Sequence, residues 1–209
     1  MSNLDDSIDA AAAAVRAGEA VVYPTETVYG LGADATDASA VERVFELKGR
    51  DRSKPLSVGV PDAAAAREYA RPTPFETRFM ERFLPGPVTV VVERGPDLSD
   101  VLTAGGDRVG VRVPDYDVTL DFYRRADRPV TATSANRSGA PSVRTPAELD
   151  PELRDRVGAV VDAGETPGGT ESTVVDPGRN VIHRRGAMAD EVASWLAEET
   201  GDPPSVDSE

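Results

Sequence analysis

The sequence predicts an α/β fold built on a mixed β-sheet, and three observations carry that expectation. Short apolar runs with strand character alternate with segments of helical period along most of the 209 residues. Two of those runs, "PVTVVVE" at 87–93 and "VGAVVDAG" at 157–164, are rich enough in Val and Ala to be buried strands. The strands are unevenly spaced, which suits a mixed sheet better than a strict doubly wound one. Nothing repeats and no linker divides the chain. The expectation is a single domain over 1–199, long enough for a real core, and a disordered acidic tail over 200–209.

An alanine-rich helix is predicted over 4–17, closed by Gly18, then a strand over 19–23 stopped by Pro24. Val41, Val44, Phe45 and Leu47 fall at helical spacing over 37–48, with Gly49 as the stop. A strand over 56–60 follows, then a helical zone from 63 to 83 and a strand over 88–93. A strand over 109–113 precedes a helix over 118–125, and a strand over 130–132 opens into the polar loop "TSANRSGAPS". Strands over 159–162, 172–176 and 181–184 come next, and 190–199 is a last amphipathic helix.

Composition narrows the chemistry. With no cysteine and one histidine, disulfides and thiolate metal sites are excluded and a structural zinc site is not expected. A Ser/His/Asp triad is not expected either, because the sole histidine, His183, lies in a predicted strand and reads as structural. The chain has no run of about 18 apolar residues, so no membrane span is predicted. Its N-terminus, "MSNLDDSIDAAAA", lacks the basic region of a signal peptide, and a cytoplasmic protein is expected. The net charge is −14, with acids scattered rather than blocked. That pattern reads as a halophilic surface kept soluble by charge, ahead of a specific basic partner.

One stretch runs against this acidity. "ELKGRDRSKPL" at 46–56 holds Lys48 and Lys54, the only lysines in the chain; the other 21 of its 23 Lys and Arg residues are arginine. Lys48, Arg50, Arg52 and Lys54 put four cations in seven residues. Arginine offers a bidentate fork to phosphate and lysine a compact point charge, so a nucleoside triphosphate suits such a loop. It is not a Walker A loop, because GxxxxGK[ST] occurs nowhere in the chain. The competing reading is a solvated basic loop. A surface that sheds lysine so thoroughly would have replaced both if geometry did not matter.

Three further segments carry polar groups at predicted strand ends, where open α/β sheets place ligands. "PTETVYGLGAD" at 24–34 sets Thr25, Glu26, Thr27 and Tyr29 beside Gly30 and Gly32, which suits either a small polar ligand or an ordinary threonine-rich turn. Arg112 stands among valines in "VGVRVP" at 109–114, where a charge needs a partner, either a ligand or a buried ion pair. "TATSANRSGAPS" at 131–142 and "GGTESTVVD" at 168–176 offer hydroxyls, amides and glycines fit for phosphate, ribose or an amino acid.

Taken in order, "PTETVYGLGADAT", "FELKGRDRSKPL", "LPGPVTVVV", "VGVRVP", "TATSANRSGAPS", "GTESTVVD" and "HRRGA" resemble the signature of the YrdC-like threonylcarbamoyl-AMP synthase family, over about residues 18–187. The resemblance implies the YrdC-like fold, a twisted open mixed sheet with flanking helices around a concave basic cavity, in its single-domain form. It implies formation of threonylcarbamoyl-AMP and pyrophosphate from L-threonine, bicarbonate and ATP, with Mg²⁺. The product would feed tRNA threonylcarbamoyladenosine synthesis through a threonylcarbamoyl transferase complex, with at most weak contact to tRNA itself.

By the same resemblance Thr27, Tyr29, Arg112 and Ser172 would serve threonine and bicarbonate. Lys48, Arg50, Lys54, Ser134, Asn136, Ser142 and Arg184 would serve ATP, with Lys48 and Arg50 the catalytic cations and Ser134 and Asn136 the candidate metal contacts. Lys54 stands where many relatives have asparagine. Gly59 stands where many have a histidine near threonine, so either a water or a neighbouring side chain replaces that contact, or threonine affinity is altered. Such chemistry needs no protein nucleophile, since positioned cations suffice for nucleotidyl transfer, and the scarcity of histidine and cysteine accords with it. Two other readings are a non-catalytic RNA-binding module of the same fold and a carbamoyl-transfer module of the hydrogenase-maturation type. The first calls for a basic, aromatic-studded surface, whereas aromatics are 5% of this acidic chain. The second usually sits in a larger multidomain chain with zinc-finger and acylphosphatase segments, which this sequence does not contain.

Overall fold

The computed structural model describes residues 4–207. Its elements run α1 (Leu4–Arg16), β1 (Val21–Tyr23), β2 (Gly30–Gly32), α2 (Ala38–Lys48), β3 (Ser57–Gly59), α3 (Ala63–Tyr69), α4 (Pro74–Phe83), β4 (Val88–Glu93) and β5 (Arg108–Arg112). They continue with α5 (Asp117–Ala126), β6 (Val130–Ser134), α6 (Pro151–Arg156), β7 (Ala159–Val160), β8 (Thr173–Asp176), β9 (Val181–Arg184), α7 (Ala189–Thr200) and β10 (Ser205–Val206). The ten strands form one open sheet in the order β10-β9-β8-β4-β5-β3-β6-β2-β1-β7. It is mixed as expected: β3 pairs parallel with β5 and antiparallel with β6, while β4 pairs antiparallel with β5 and parallel with β8. Among the described residues no helix is long and apolar enough to cross a membrane.

Strand alternation gives the sheet two unlike faces. One carries Val22, Leu31, Val58, Val88, Val90, Val92, Val109 and Val111, and it is covered by the apolar sides of α2, α4, α6 and α7. The other is covered at one end only, where α1 and α5 pack over Val21, Tyr23 and Val130. Beyond that end the same face presents Ser57, Gly110, Ala132 and Val91. Ser57, Ala132 and Val91 are half-buried although their strands lie inside the sheet, so among the described residues nothing packs closely over this stretch. The small side chains make it a floor on which a ligand can lie.

Local sequence explains the supports of that floor. Asp37 caps α2 by accepting from the Ser39 and Ala40 amides, and Gly49 ends it in a left-handed turn at φ 58°, releasing the basic loop. The predicted helical zone over 63–83 is two helices, because Pro72 and Pro74 cannot continue the first and Thr73 starts the second with a capping box to Glu76.

Three features depart from the sequence reading. β2 is a strand of two glycines and a leucine, and it pairs because glycine lets the Tyr23 ring lie against the backbone: a Cβ on Gly30 would stand 2.8 Å from Tyr23 Cζ. α6 falls in a stretch, 143–158, to which the sequence assigned no element. The tail is not disordered over its described part. The exposed edge of β9 recruits it as β10, with the Ser205 amide donating to Asn180 O (3.0 Å) and the Asp207 amide to Ile182 O (3.0 Å). His183 Nδ1 lies 2.6 Å from Asp207 Oδ2, an exposed contact between β9 and the tail. Residues 208–209 of the expected tail lie outside the described residues.

Candidate active site

Two polar clusters border the uncovered floor. The first is built on Arg112, the last residue of β5 rather than a mid-strand residue, in register with Gly59 of β3. Arg112 is 8% exposed and uses Nη2 twice, toward Glu26 Oε2 (3.0 Å) and Thr27 Oγ1 (2.9 Å). Thr27 Oγ1 also lies 2.9 Å from Thr25 Oγ1, which closes the turn by donating to Val28 O (2.6 Å). The turn is clamped from behind: the Gly168 amide donates to Glu26 O (3.0 Å) and Thr166 Oγ1 to Thr27 O (3.1 Å). Tyr29 belongs to this clamp and does not reach the floor. Its ring is fully buried, and its hydroxyl donates to Gly164 O (2.7 Å) and accepts from the Ala163 amide (3.2 Å). Burial, against that amide bond, pushes its pKa up to about 12.

The second cluster gathers Lys48, Arg50, Arg184 and Glu171. Lys48 ends α2 and is 3% exposed, with Nζ donating to Ser134 O, Asn136 O (2.7 Å) and Asn136 Oδ1 (3.3 Å). The Ser138 amide in turn donates to Lys48 O (2.8 Å). An ammonium has three N–H donors, and here each has a protein acceptor, so Lys48 pins the loop after β6 to the end of α2. Burial first, and the Arg50 charge second, lower its pKa to about 8, while Glu171 pulls the other way. Arg50 folds back on its own loop, donating to Lys54 O (3.0 Å) and Pro55 O (3.1 Å), and burial and the nearby Arg184 lower its pKa too. Lys54 is exposed on that loop, and Arg52 turns away to Glu42 (2.7 Å).

Across from Lys48, Arg184 of β9 donates to Ser172 O (2.9 Å), to Ser172 Oγ (3.1 Å) and to Glu171. Ser172 Oγ lies 3.0 Å from Thr89 Oγ1 of β4, tying β8 to β4 at the floor. Glu171 also accepts from Ser142. Its burial favours the neutral acid, but Ser142, Arg184, Ser134 and Lys48 together outweigh that and hold the carboxyl below its usual range. Glu171 went unmarked in the sequence, where one acid among 37 carries no signal, and Glu26 was marked only as part of its threonine-rich turn, with no role of its own.

Ser134 and Asn136 do not suit a protein-held divalent cation. Asn136 Oδ1 accepts from Ser134 and faces the Lys48 ammonium at 3.3 Å, and a cation there would meet a charge of its own sign. Among the described residues no group of three or more His, Cys, Asp or Glu side chains could hold a metal ion.

The space a side chain would need at Gly59 is filled. A Cβ there would stand 2.1 Å from the Tyr123 hydroxyl and 2.6 Å from its Cζ. That hydroxyl donates to the Tyr23 hydroxyl (3.0 Å), and burial pushes its pKa well above the ordinary value. Tyr123, from α5, thus packs over Gly59 on the same face of the sheet as the floor and closes the floor's end beside Arg112. Gly59→Ala should destabilise the protein by about 1–3 kcal/mol in urea unfolding through overpacking. Tyr123→Leu in the same chain should remove part of that loss. An unaffected Gly59→Ala midpoint would contradict this packing.

The family model for Sua5/YciO/YrdC, described as "Telomere recombination", matches residues 13–186. The threonylcarbamoyl-AMP synthase of Pyrococcus abyssi is 40% identical over 167 residues, covering 79% of this chain and 49% of that protein. This chain therefore spans about half the length of that relative. The human threonylcarbamoyl-AMP synthase is 34% identical over 209 residues, 96% of this chain and 74% of that one. Among solved structures, P. abyssi Sua5 complexed with L-threonine superposes with a TM-score of 0.87 at 35% identity, over 96% of this chain and 58% of that chain. The motifs bordering the floor lie within the matched span, and the chain belongs to the Sua5/YciO/YrdC family.

Proposed function

We propose that this chain is an L-threonylcarbamoyladenylate synthase, a nucleotidyltransferase that uses L-threonine, bicarbonate and ATP. The observation that carries the reading is the gathering of Lys48, Arg50 and Arg184 at an uncovered sheet face in a chain of net charge −14. The names of the relatives support it. The threonine amine attacks bicarbonate to give a carbamate and water. A carbamate oxygen then attacks the α-phosphorus of ATP, and pyrophosphate leaves.

Every step turns on placing anions, and none needs a protein nucleophile. Arg112 would take the threonine carboxylate through guanidinium donors that the protein leaves unused, with Thr27 and Ser172 beside it. Arg50, Lys54 and Arg184 would meet the phosphates. ATP would enter as its Mg²⁺ complex, and Ser142 would reach the nucleotide. Lys48 would act mainly by fixing the Ser134–Asn136 loop and adding its charge. The product is a mixed anhydride open to hydrolysis, so a tRNA threonylcarbamoyl transferase would have to receive it promptly.

The test is pyrophosphate release from ATP by purified protein, with and without threonine and bicarbonate. Release that requires both supports the synthase, and release indifferent to both overturns it.

A further inference from the structure

The two clusters differ in charge, and the difference points to unlike ligands. Lys48, Arg50 and Arg184 stand against Glu171, a cationic excess that suits a polyphosphate. Arg112 stands against Glu26, and that pair is neutral. A lone carboxylate added to Arg112 would leave a net negative charge beside a second carboxylate in a nearly dry place. A zwitterion would leave the place neutral.

The pair is also incomplete. Its side chains are 9% and 12% exposed, yet Arg112 Nε and Glu26 Oε1 have no hydrogen-bond partner. An unmet buried donor or acceptor costs about 1–3 kcal/mol, more when the group is charged. One orphaned donor and one orphaned acceptor on the same ion pair are what a free α-amino acid can satisfy together, its carboxylate on the guanidinium and its ammonium on the carboxylate. The backbone of Glu26 is fixed for such work. Its carbonyl takes the Gly168 amide at 3.0 Å, and Gly168 can carry no side chain there, since a Cβ would stand 2.5 Å from that oxygen.

We propose that Glu26 recognises the α-ammonium of the amino-acid substrate, making Arg112 and Glu26 together a zwitterion site. The proposal rests on the threonine reading and adds a residue and a selectivity to it: ligands with the carboxylate but no amine are rejected by repulsion from Glu26.

The test is calorimetric titration with L-threonine and with (R)-3-hydroxybutanoate, which keeps the carboxylate and the hydroxyl but lacks the amine. The wild-type protein should bind threonine at least about tenfold more tightly than the hydroxy acid. Glu26→Gln keeps the side chain's shape and should abolish that preference while leaving ATP affinity unchanged. Glu26→Asp, which keeps the charge, should restore part of it. An unchanged preference in Glu26→Gln would overturn the role and leave Glu26 a mere counter-ion of Arg112. Tighter binding of both ligands by Glu26→Gln would overturn it too, marking Glu26 as a competitor for Arg112. Wild-type protein that binds no threonine would instead sink the amino-acid reading itself.

Discussion

Lys48→Ala should lower synthase turnover at least about 100-fold, equivalent to about 2.7 kcal/mol. The reason lies in what its ammonium holds. Removing it frees Ser134 O, Asn136 O and Asn136 Oδ1 at once and unties the loop that carries both residues. Lys48→Arg should not restore activity, because a planar fork cannot replace a compact ammonium among three acceptors in a site 3% exposed. Full activity in the arginine variant would refute this account of the cage. The same burial sets a pH limit, since the Lys48 pKa falls from its ordinary 10.5 to about 8. Activity that needs the ammonium should decline through pH 8. Stability should not decline with it through this group. Between the two values the unfolded chain holds a proton that the folded chain has released, and stability therefore rises with pH there. A pH–rate profile set beside urea midpoints at the same pH values separates the two.

Arg108→Ala should cost about 3–5 kcal/mol of stability, because it strands two buried carboxylates. Arg108 opens β5 and donates through Nη2 to Glu76 Oε1 (2.7 Å), Asp176 Oδ1 (2.8 Å) and Val91 O (2.8 Å). Its Nε lies 2.7 Å from Asp176 Oδ2, close enough for attraction but not aligned as a hydrogen bond. Glu76 is 1% exposed and Asp176 fully buried, so water cannot replace the guanidinium. Glu76 also completes the capping box of α4, accepting from the Thr73 amide at 2.7 Å, so the loss should reach that helix start as well. Against a typical total of about 5–15 kcal/mol this is a large share, readable in urea unfolding. A loss below about 1 kcal/mol would mean that the network is not what holds α4, β5 and β8 together.

The helices and the longer strands were legible because apolar period and glycine or proline stops mark them directly, as in α2 with Gly49 and β4 with its valines. β2 was not, since its strand character comes from Tyr23 packing on two glycines and not from its own residues. β10 was not, since a polar tail becomes a strand only where an edge such as β9 is free to pair. Arg112 announced itself as a charge among valines, and the structure gives it the buried partner such a charge requires. The two lysines stood out by composition, yet only Lys48 lies buried in a cage while Lys54 is exposed. The Tyr123–Gly59 contact joins residues 64 apart in sequence, and no local pattern encodes it.

The central claim is that bicarbonate carbon, threonine and AMP are joined on this chain. It is tested most directly by incubating the protein with ¹⁴C-bicarbonate, L-threonine and ATP, then separating the adenylated products. Label should appear in one species that contains both threonine and AMP, formed in step with pyrophosphate and absent when threonine is omitted. Pyrophosphate released with no bicarbonate carbon in any adenylated product would contradict it.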